Sequence, residues 1–225
     1  MLFHKYQGAL LATMFEYPYE ALSINELARR AGVDPGNTKR YVEKFAQNGF
    51  VTLTPKGNAV LIRPDLSNQE ILKVFELFEI TRANSFLNEN QVVGGMLKEV
   101  ANALYGNLPE VRMVCLFGPS AQAISTSCPI DLGIIVGAGL NAPETARLAS
   151  DIIKRFALPY ETRLCLHGTA DMANIWKKGD GCSVEIWNTR IVLFGEGYFW
   201  QTIAEDGIPC KPEQIEKTVE MADHV

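Results

Sequence analysis

Residues 23–51 read SINELARRAGVDPGNTKRYVEKFAQNGFV, and this stretch decides the front of the fold. Ser23 and Glu26 stand at capping-box spacing, which predicts a helix starting at Ile24 and running through Leu27, Ala28 and Ala31. Gly32 stops it. Asp34-Pro35 then restarts a helix, with an acid at the N-cap and proline at the first helical position. Thr38, Tyr41, Val42 and Phe45 recur every three or four residues and mark its buried face; Gly49 ends it. Beyond it, Phe50-Val51-Thr52-Leu53 and Ala59-Val60-Leu61-Ile62 flank Thr54-Pro55-Lys56-Gly57-Asn58, the pattern of a short β-hairpin. On the N-terminal side, Phe3, Tyr6, Leu10, Leu11 and Met14 repeat helically and supply a preceding helix of the same core.

Two helices joined by a tight turn and followed by a hairpin resemble the winged helix-turn-helix superfamily over the whole stretch, with GFV as the usual exit into the wing. The resemblance implies binding to double-stranded DNA, with the second helix in the major groove. Burial of Thr38, Tyr41, Val42 and Phe45 leaves Pro35, Gly36, Asn37, Lys39, Arg40 and Lys44 outward. Asn37 and Arg40 can offer paired hydrogen bonds to base edges, whereas Lys39 and Lys44 suit phosphates. Lys56 and Asn58 at the wing tip would reach the backbone or the minor groove. The same charges also suit an ordinary solvated helix face on a winged helix that contacts protein.

Composition is compatible with that reading. At 225 residues the chain holds one large or two small domains, and 47% hydrophobic against 21% charged residues fits a soluble globular protein. It has no apolar run long enough to span a membrane, and its N-terminus does not read as a signal peptide. The net charge of −5 is unevenly spread: residues 1–65 carry eight Lys/Arg against six Asp/Glu, and the remainder thirteen against twenty. An acidic protein with a mildly basic front can bind DNA, because only the contacting face must be positive. The five cysteines (Cys115, Cys128, Cys165, Cys182, Cys210) are scattered and lack any C-x-x-C pair. That argues against a disulfide framework and a structural zinc site, and for a reduced, cytoplasmic protein. Cys115 and Cys165 lie in apolar runs and read as small hydrophobes. His4, His167 and His224 are far apart, so no metal cluster is visible and no cofactor is expected.

After Arg63-Pro64-Asp65, Ser67 can cap a helix beginning at Asn68. Ile71, Leu72, Val74, Phe75, Leu77, Phe78 and Ile80 spread around more than one of its faces. A helix apolar nearly all round must be buried on several sides. This predicts a connector that packs on a second copy, giving a homodimer and a two-fold DNA site; burial within its own chain is the alternative. A second helical run holds Val92, Val93, Met96, Leu97, Val100, Leu104 and Tyr105. The expected division is a winged-helix DNA-binding domain over 1–65, a connector over 66–89 and a further domain over 90–225.

That last part orders as strand 111–117, loop, strand 130–136, helix 142–157, strand 161–166, helix 169–177 and a strand at 191–194, a mixed α/β (α+β) domain. Phe117-Gly118-Pro119, then Ser120 to Cys128, then Pro129-Ile130-Asp131 keeps the spacing of an apolar-Gly-Ser turn followed by Asp-apolar-Asp. With RIVLFGEG at 190–197, residues 90–205 resemble the nucleotidyltransferase domain of the DNA polymerase beta superfamily. The resemblance implies a mixed-sheet fold in which the glycine turn holds nucleotide phosphates and carboxylates hold divalent ions. This sequence departs from it where the chemistry sits: Pro119 replaces the serine and Pro129 the first acid, leaving Gly118, Ser120 and Asp131 as candidate cleft residues. No catalytic residue is assigned. The chain as a whole resembles prokaryotic, particularly archaeal, transcription regulators that join these modules, with the second domain as sensor or scaffold for a nucleotide or other small effector. Two alternatives stay open: an active, magnesium-dependent nucleotidyltransferase, and an antitoxin-like protein-binding module.

Overall fold

The computed structural model describes residues 4–108, 110–125, 128–137, 142–169 and 181–207. Contacts divide the chain into two units, 1–78 and 79–225. Mixed helix and sheet run through both.

In the first unit, α1 (Lys5–Glu16), β1 (Leu22–Ser23), α2 (Ile24–Ala31) and α3 (Pro35–Gln47) precede the hairpin β2 (Val51–Lys56) and β3 (Ala59–Pro64). The capping signals act as their chemistry dictates. Ser23 Oγ accepts the Glu26 N–H at 3.2 Å, and Gly32 takes the left-handed C-cap conformation with φ 63°. Asp34 caps α3 by accepting the Asn37 N–H at 2.9 Å. Thr38, Tyr41, Val42 and Phe45 are buried, as their spacing requires, and so are Leu10, Leu11 and Met14 of α1 and Leu27 of α2. Each such fully buried large side chain contributes about 1.5–3 kcal/mol. The sheet is antiparallel in the order β1-β3-β2, and two residues of β1 suffice to pair with Leu61 and Ile62 of β3. The hairpin is longer and its loop shorter than the sequence suggests. Lys56 pairs with Ala59, so only Gly57 and Asn58 form the loop, and Gly57 (φ 58°) supplies the positive dihedral at its first position. Pro55 pairs with Val60 inside β2; it is tolerated there because β2 is an edge strand. Helix, helix, helix and hairpin in this order form a winged helix.

Helix α4 (Gln69–Glu89) follows. Its cap is Asn68, whose Oδ1 accepts the Glu70 and Ile71 N–H groups at 2.8 and 3.3 Å. Ser67, the residue expected there, instead donates its hydroxyl to Asp65 Oδ1 at 2.6 Å. In the first unit Ile71, Leu72 and Phe75 are buried, with Phe15 edge-on to Phe75 and Phe78. In the second unit Ala83 and Phe86 join the core. The buried apolar residues of α4 thus share one helical stripe, whereas Val74, Leu77 and Phe78 are half-buried and Ile80 is 36% exposed.

The second unit continues with α5 (Gln91–Asn107), β4 (Val111–Phe117), α6 (Pro119–Gln122), β5 (Ile130–Val136), α7 (Ala142–Lys154), β6 (Thr162–Gly168), α8 (Gly181–Thr189), β7 (Ile191–Phe194) and α9 (Glu196–Asp206). Both central strands begin and end where their apolar runs do. The sheet order is β6-β5-β4-β7, with β4 antiparallel to both neighbours and β5 parallel to β6. Val114, Leu116, Leu132 and Ile134 form one core with α5 and α7. The alternate residues Cys115, Phe117 and Gly133 face Ile186 of α8, as a methyl group placed on Gly133 would touch all three. Cys115 is fully buried and its thiol is pushed up to about 12 by that burial. On this unit Arg190 Nε donates to Glu79 Oε1 at 2.7 Å, and both side chains are sealed from solvent. The helix expected at 169–177 falls almost wholly outside the described residues.

Candidate nucleic-acid interface and cleft

The N-cap geometry of α3 fixes what the helix presents. Pro35, Gly36, Lys39, Arg40 and Lys44 are exposed and Asn37 is half-buried, on the side opposite the buried row. Asp34, Asn37 and Arg40 form a relay at the start of the helix. Asn37 donates its side-chain amide to Asp34 Oδ2, while Arg40 Nη2 donates to Asn37 Oδ1 at 2.8 Å. Hydrogen bonds from Asn37, backbone first and side chain second, hold the Asp34 carboxyl below its ordinary value. The Arg40 guanidinium also lies 5.0 Å from the Tyr41 ring centre, with Lys44 Nζ 5.8 Å from it. Asn37 and Arg40 are thus pre-positioned together, rather than as two independent readers.

The cations of α2 are differently employed. Arg29 and Arg30 both bind Glu26, and Arg30 reaches Glu20 at 2.8 Å. These hydrogen bonds, Arg29 before Arg30, hold Glu26 at about 2. Among the described residues Lys39 and Lys44 carry no ion pair, and neither do Lys56 and Arg63 of the wing, so α3 and the wing both offer positive charge. A groove of about 450 Å³ between α3 and the wing is lined by Lys39, Val42, Leu53, Asn58 and Val60 among others. It brings Lys39 and Asn58 to one concavity; Lys56 is exposed on the wing beside it.

In the second unit Gly118 turns the chain out of β4 with φ 72° and ψ −159°. Its N–H donates to Thr189 Oγ1 at 2.8 Å, and that hydroxyl in turn donates to the Glu185 carbonyl at 2.7 Å. A methyl group placed on Gly118 would lie 3.0 Å from Asp131 Oδ2 and 3.3 Å from Glu185 Oε1. Two carboxyls therefore converge on the glycine turn. Partial burial raises Asp131 above the ordinary carboxylate range, against the pull of Arg163, its neighbour in register on β6. Ser120 is a correction to the candidate cleft. It is fully buried within α6, its hydroxyl turned back toward the Phe117 carbonyl, and it does not line the cleft. The four-residue helix that Pro119 starts carries it inward.

These positions test the implied nucleotide and magnesium directly. The Gly118 N–H is occupied by Thr189, Pro119 has no N–H to donate, and the Ser120 hydroxyl is buried. The turn that would cradle phosphates offers none of those donors, although the carboxyls of Asp131 and Glu185 beside it are of the type that could hold a divalent ion.

Sequence reasoning missed Glu185 and Thr189, because GCSVEIWNT has no clear helical period to place them on α8. It also missed a contact between distant residues. Cys165 and Cys182 stand with their Sγ atoms in bonding contact, and His167 Nε2 lies 2.9 Å from Cys165 Sγ. The expectation of scattered, unpaired cysteines fails for these two. A sequence separation of 17 hides the pair from a reading of local pattern.

No protein-family profile and no curated protein matches this chain. Among solved structures, partial similarity is found to the PcaV transcriptional regulator from Streptomyces coelicolor, in complex with its natural ligand. The identity is 23%, covering 43% of this chain and 73% of that one, with a TM-score of 0.29. TrmBL2, an archaeal chromatin protein described as showing a novel mode of DNA binding, is 16% identical, covering 82% of this chain and 72% of that one, with a TM-score of 0.27. At those scores the likenesses carry no argument, and the winged helix stands on its own geometry. Among the described residues no helix is long and apolar enough to cross a membrane.

Proposed function

We propose that this protein is a DNA-binding transcription regulator, with a nucleotidyltransferase-like second unit that serves as sensor or scaffold. The observation that carries the reading is α3. Its buried row is locked into the core by Tyr41, Val42 and Phe45, which leaves a capped helix start and unpaired Lys39 and Lys44 facing out beside a wing. Insertion of the N-terminal half of α3 into a major groove would let Arg40 and Asn37 address base edges while the lysines meet phosphates. The strand order β6-β5-β4-β7 and the glycine turn after β4 support the nucleotidyltransferase resemblance; the blocked turn speaks for a unit that no longer transfers nucleotides. A homodimer would place two such helices on a two-fold site.

Selection of genomic fragments by the purified full chain tests this, followed by affinity measurements over a range of salt. The expected result is a recurrent two-fold sequence bound with steep salt dependence. Absence of any salt-sensitive affinity for selected or upstream DNA would sink the reading. The convergence of Glu185 with Asp131 keeps one alternative in view, an active nucleotidyltransferase. That reading requires metal-dependent transfer of label from a nucleoside triphosphate, abolished by Asp131→Ala, and is excluded if folded protein transfers none.

A further inference from the structure

We propose that Cys165, His167 and Cys182 form a binding site for a thiophilic divalent cation, with zinc the expected occupant. Strand alternation puts Cys165 and His167 on one face of β6, the edge strand of its sheet. Cys182, the second residue of α8, is brought onto the same face. One ligand atom from each of the three lies within 4.8 Å of the others, and all three side chains are half-buried. The Cα atoms of the two cysteines are 7.4 Å apart, beyond the roughly 4.4–6.8 Å that a disulfide usually spans. An ion between the sulfurs needs more room than a bond between them. Two Zn–S bonds of about 2.3 Å at a tetrahedral angle hold the sulfurs nearly 4 Å apart, and a Zn–N bond of about 2.0 Å brings in the imidazole.

The donor set selects the ion. Two thiolates and an imidazole suit zinc and other borderline or soft cations, and the cluster contains no carboxylate for magnesium or calcium. Occupancy would have a structural consequence within this unit. It ties β6 to the first turn of α8, the helix whose Glu185 and Thr189 close on Gly118. The site is independent of the DNA-binding reading.

The test uses the untagged full chain, purified under reducing conditions, equilibrated with zinc and desalted. Stoichiometric zinc by elemental analysis is expected, released on titration of the thiols with a mercurial. Cys182→Ser and His167→Ala should each lose that metal, while Cys128→Ser, which alters a cysteine outside the cluster, should keep it. Cobalt substitution of the wild-type protein gives a readout that does not depend on variants folding. A thiolate-to-cobalt charge-transfer band together with the intense visible bands of a tetrahedral ion is the expected spectrum. Failure of the wild-type protein to retain zinc or show that spectrum overturns the proposal. So does retention of full zinc by both ligand variants, or a Cys165–Cys182 disulfide found by mass spectrometry in protein kept anaerobic with zinc.

Discussion

Replacing Arg190 by methionine removes a guanidinium from the interior of the second unit and leaves its partner behind. The Glu79 side chain is 0% exposed and that of Arg190 6%. Two guanidinium nitrogens, Nε and Nη2, converge on Glu79 Oε1, and Nη1 donates to the Trp187 carbonyl at 2.6 Å. The guanidinium carbon also lies 4.5 and 4.6 Å from the ring centres of Trp187 and Phe199. Hydrogen bonds to charged groups contribute about 1.5–3 kcal/mol each, but the folded protein also bears the cost of desolvating both ions. The net cost of breaking a buried pair from one side is therefore about 3–5 kcal/mol. Arg82, whose Nη1 forms an ion pair with Glu79 Oε2 at 3.8 Å, retains part of the compensation and places the expected cost toward the lower end of that range. The double variant Glu79→Leu with Arg190→Met removes both charges, and should lie within about 1–2 kcal/mol of wild type.

Urea unfolding followed by tryptophan fluorescence measures this cleanly, because all three tryptophans of the chain (Trp176, Trp187, Trp200) belong to the second unit. The single variant should lower the midpoint without changing the slope. On a unit of roughly 150 residues the corresponding fall in melting temperature is about 6–20 °C. A single-variant cost under about 1 kcal/mol, or a double variant as unstable as the two single losses added together, would refute the reasoning.

Further outcomes follow from the same geometry. Arg40→Ala should weaken specific DNA binding by about 1–3 kcal/mol and relax the preference at one base position, whereas Lys44→Ala should weaken all sequences alike and flatten the salt dependence; electrophoretic titrations at several salt concentrations separate them. Gly195→Ala should destabilise the second unit by more than about 2 kcal/mol in the same urea assay, because φ is 87° there and a methyl group would overlap the Arg112 carbonyl oxygen. Glu26, held at about 2 in the fold, stabilises most above the ordinary carboxylate range, and that contribution fades as pH falls toward 2. The melting-temperature difference between wild type and Glu26→Gln should therefore be positive near neutral pH and vanish on acidification. With its thiol pushed up to about 12, Cys115 should resist alkylation in native protein and react only on unfolding, as counted by mass spectrometry.

The front unit was legible because its signals are local. Ser23, Asp34 and Gly32 act on backbone groups within three or four residues, and the α3 row depends only on helical spacing. Strands β4 and β5 were legible for the same reason, as apolar runs with polar or turn residues at both ends. Reading failed where two neighbours competed or where distant segments met. Ser67 and Asn68 are both competent caps, and the Asp65 carboxylate decides between them by capturing the serine hydroxyl. Pro55 signals a loop unless the strand is known to lie at an edge. Glu79 and Arg190 are 111 residues apart, and nothing near either foretells the other.

The turn after β4 separates what the backbone requires from what phosphate binding would require. Gly118 is required whatever the function, since the turn has positive φ and a side chain would press on Asp131 and Glu185. A donor loop, however, must leave its amides free, and here the loop is closed by structure: Thr189 takes the Gly118 amide, and Pro119 starts the short helix that buries Ser120. The two carboxyls at the turn repel an anion. If the second unit senses a small molecule there, recognition must come from Asp131, Glu185 and the neighbouring Arg163 rather than from a phosphate cradle. Such a ligand would alter DNA binding only by preferring one arrangement of the protein over another. A nucleotide effector that depends on its phosphates is therefore the least compatible occupant of this site.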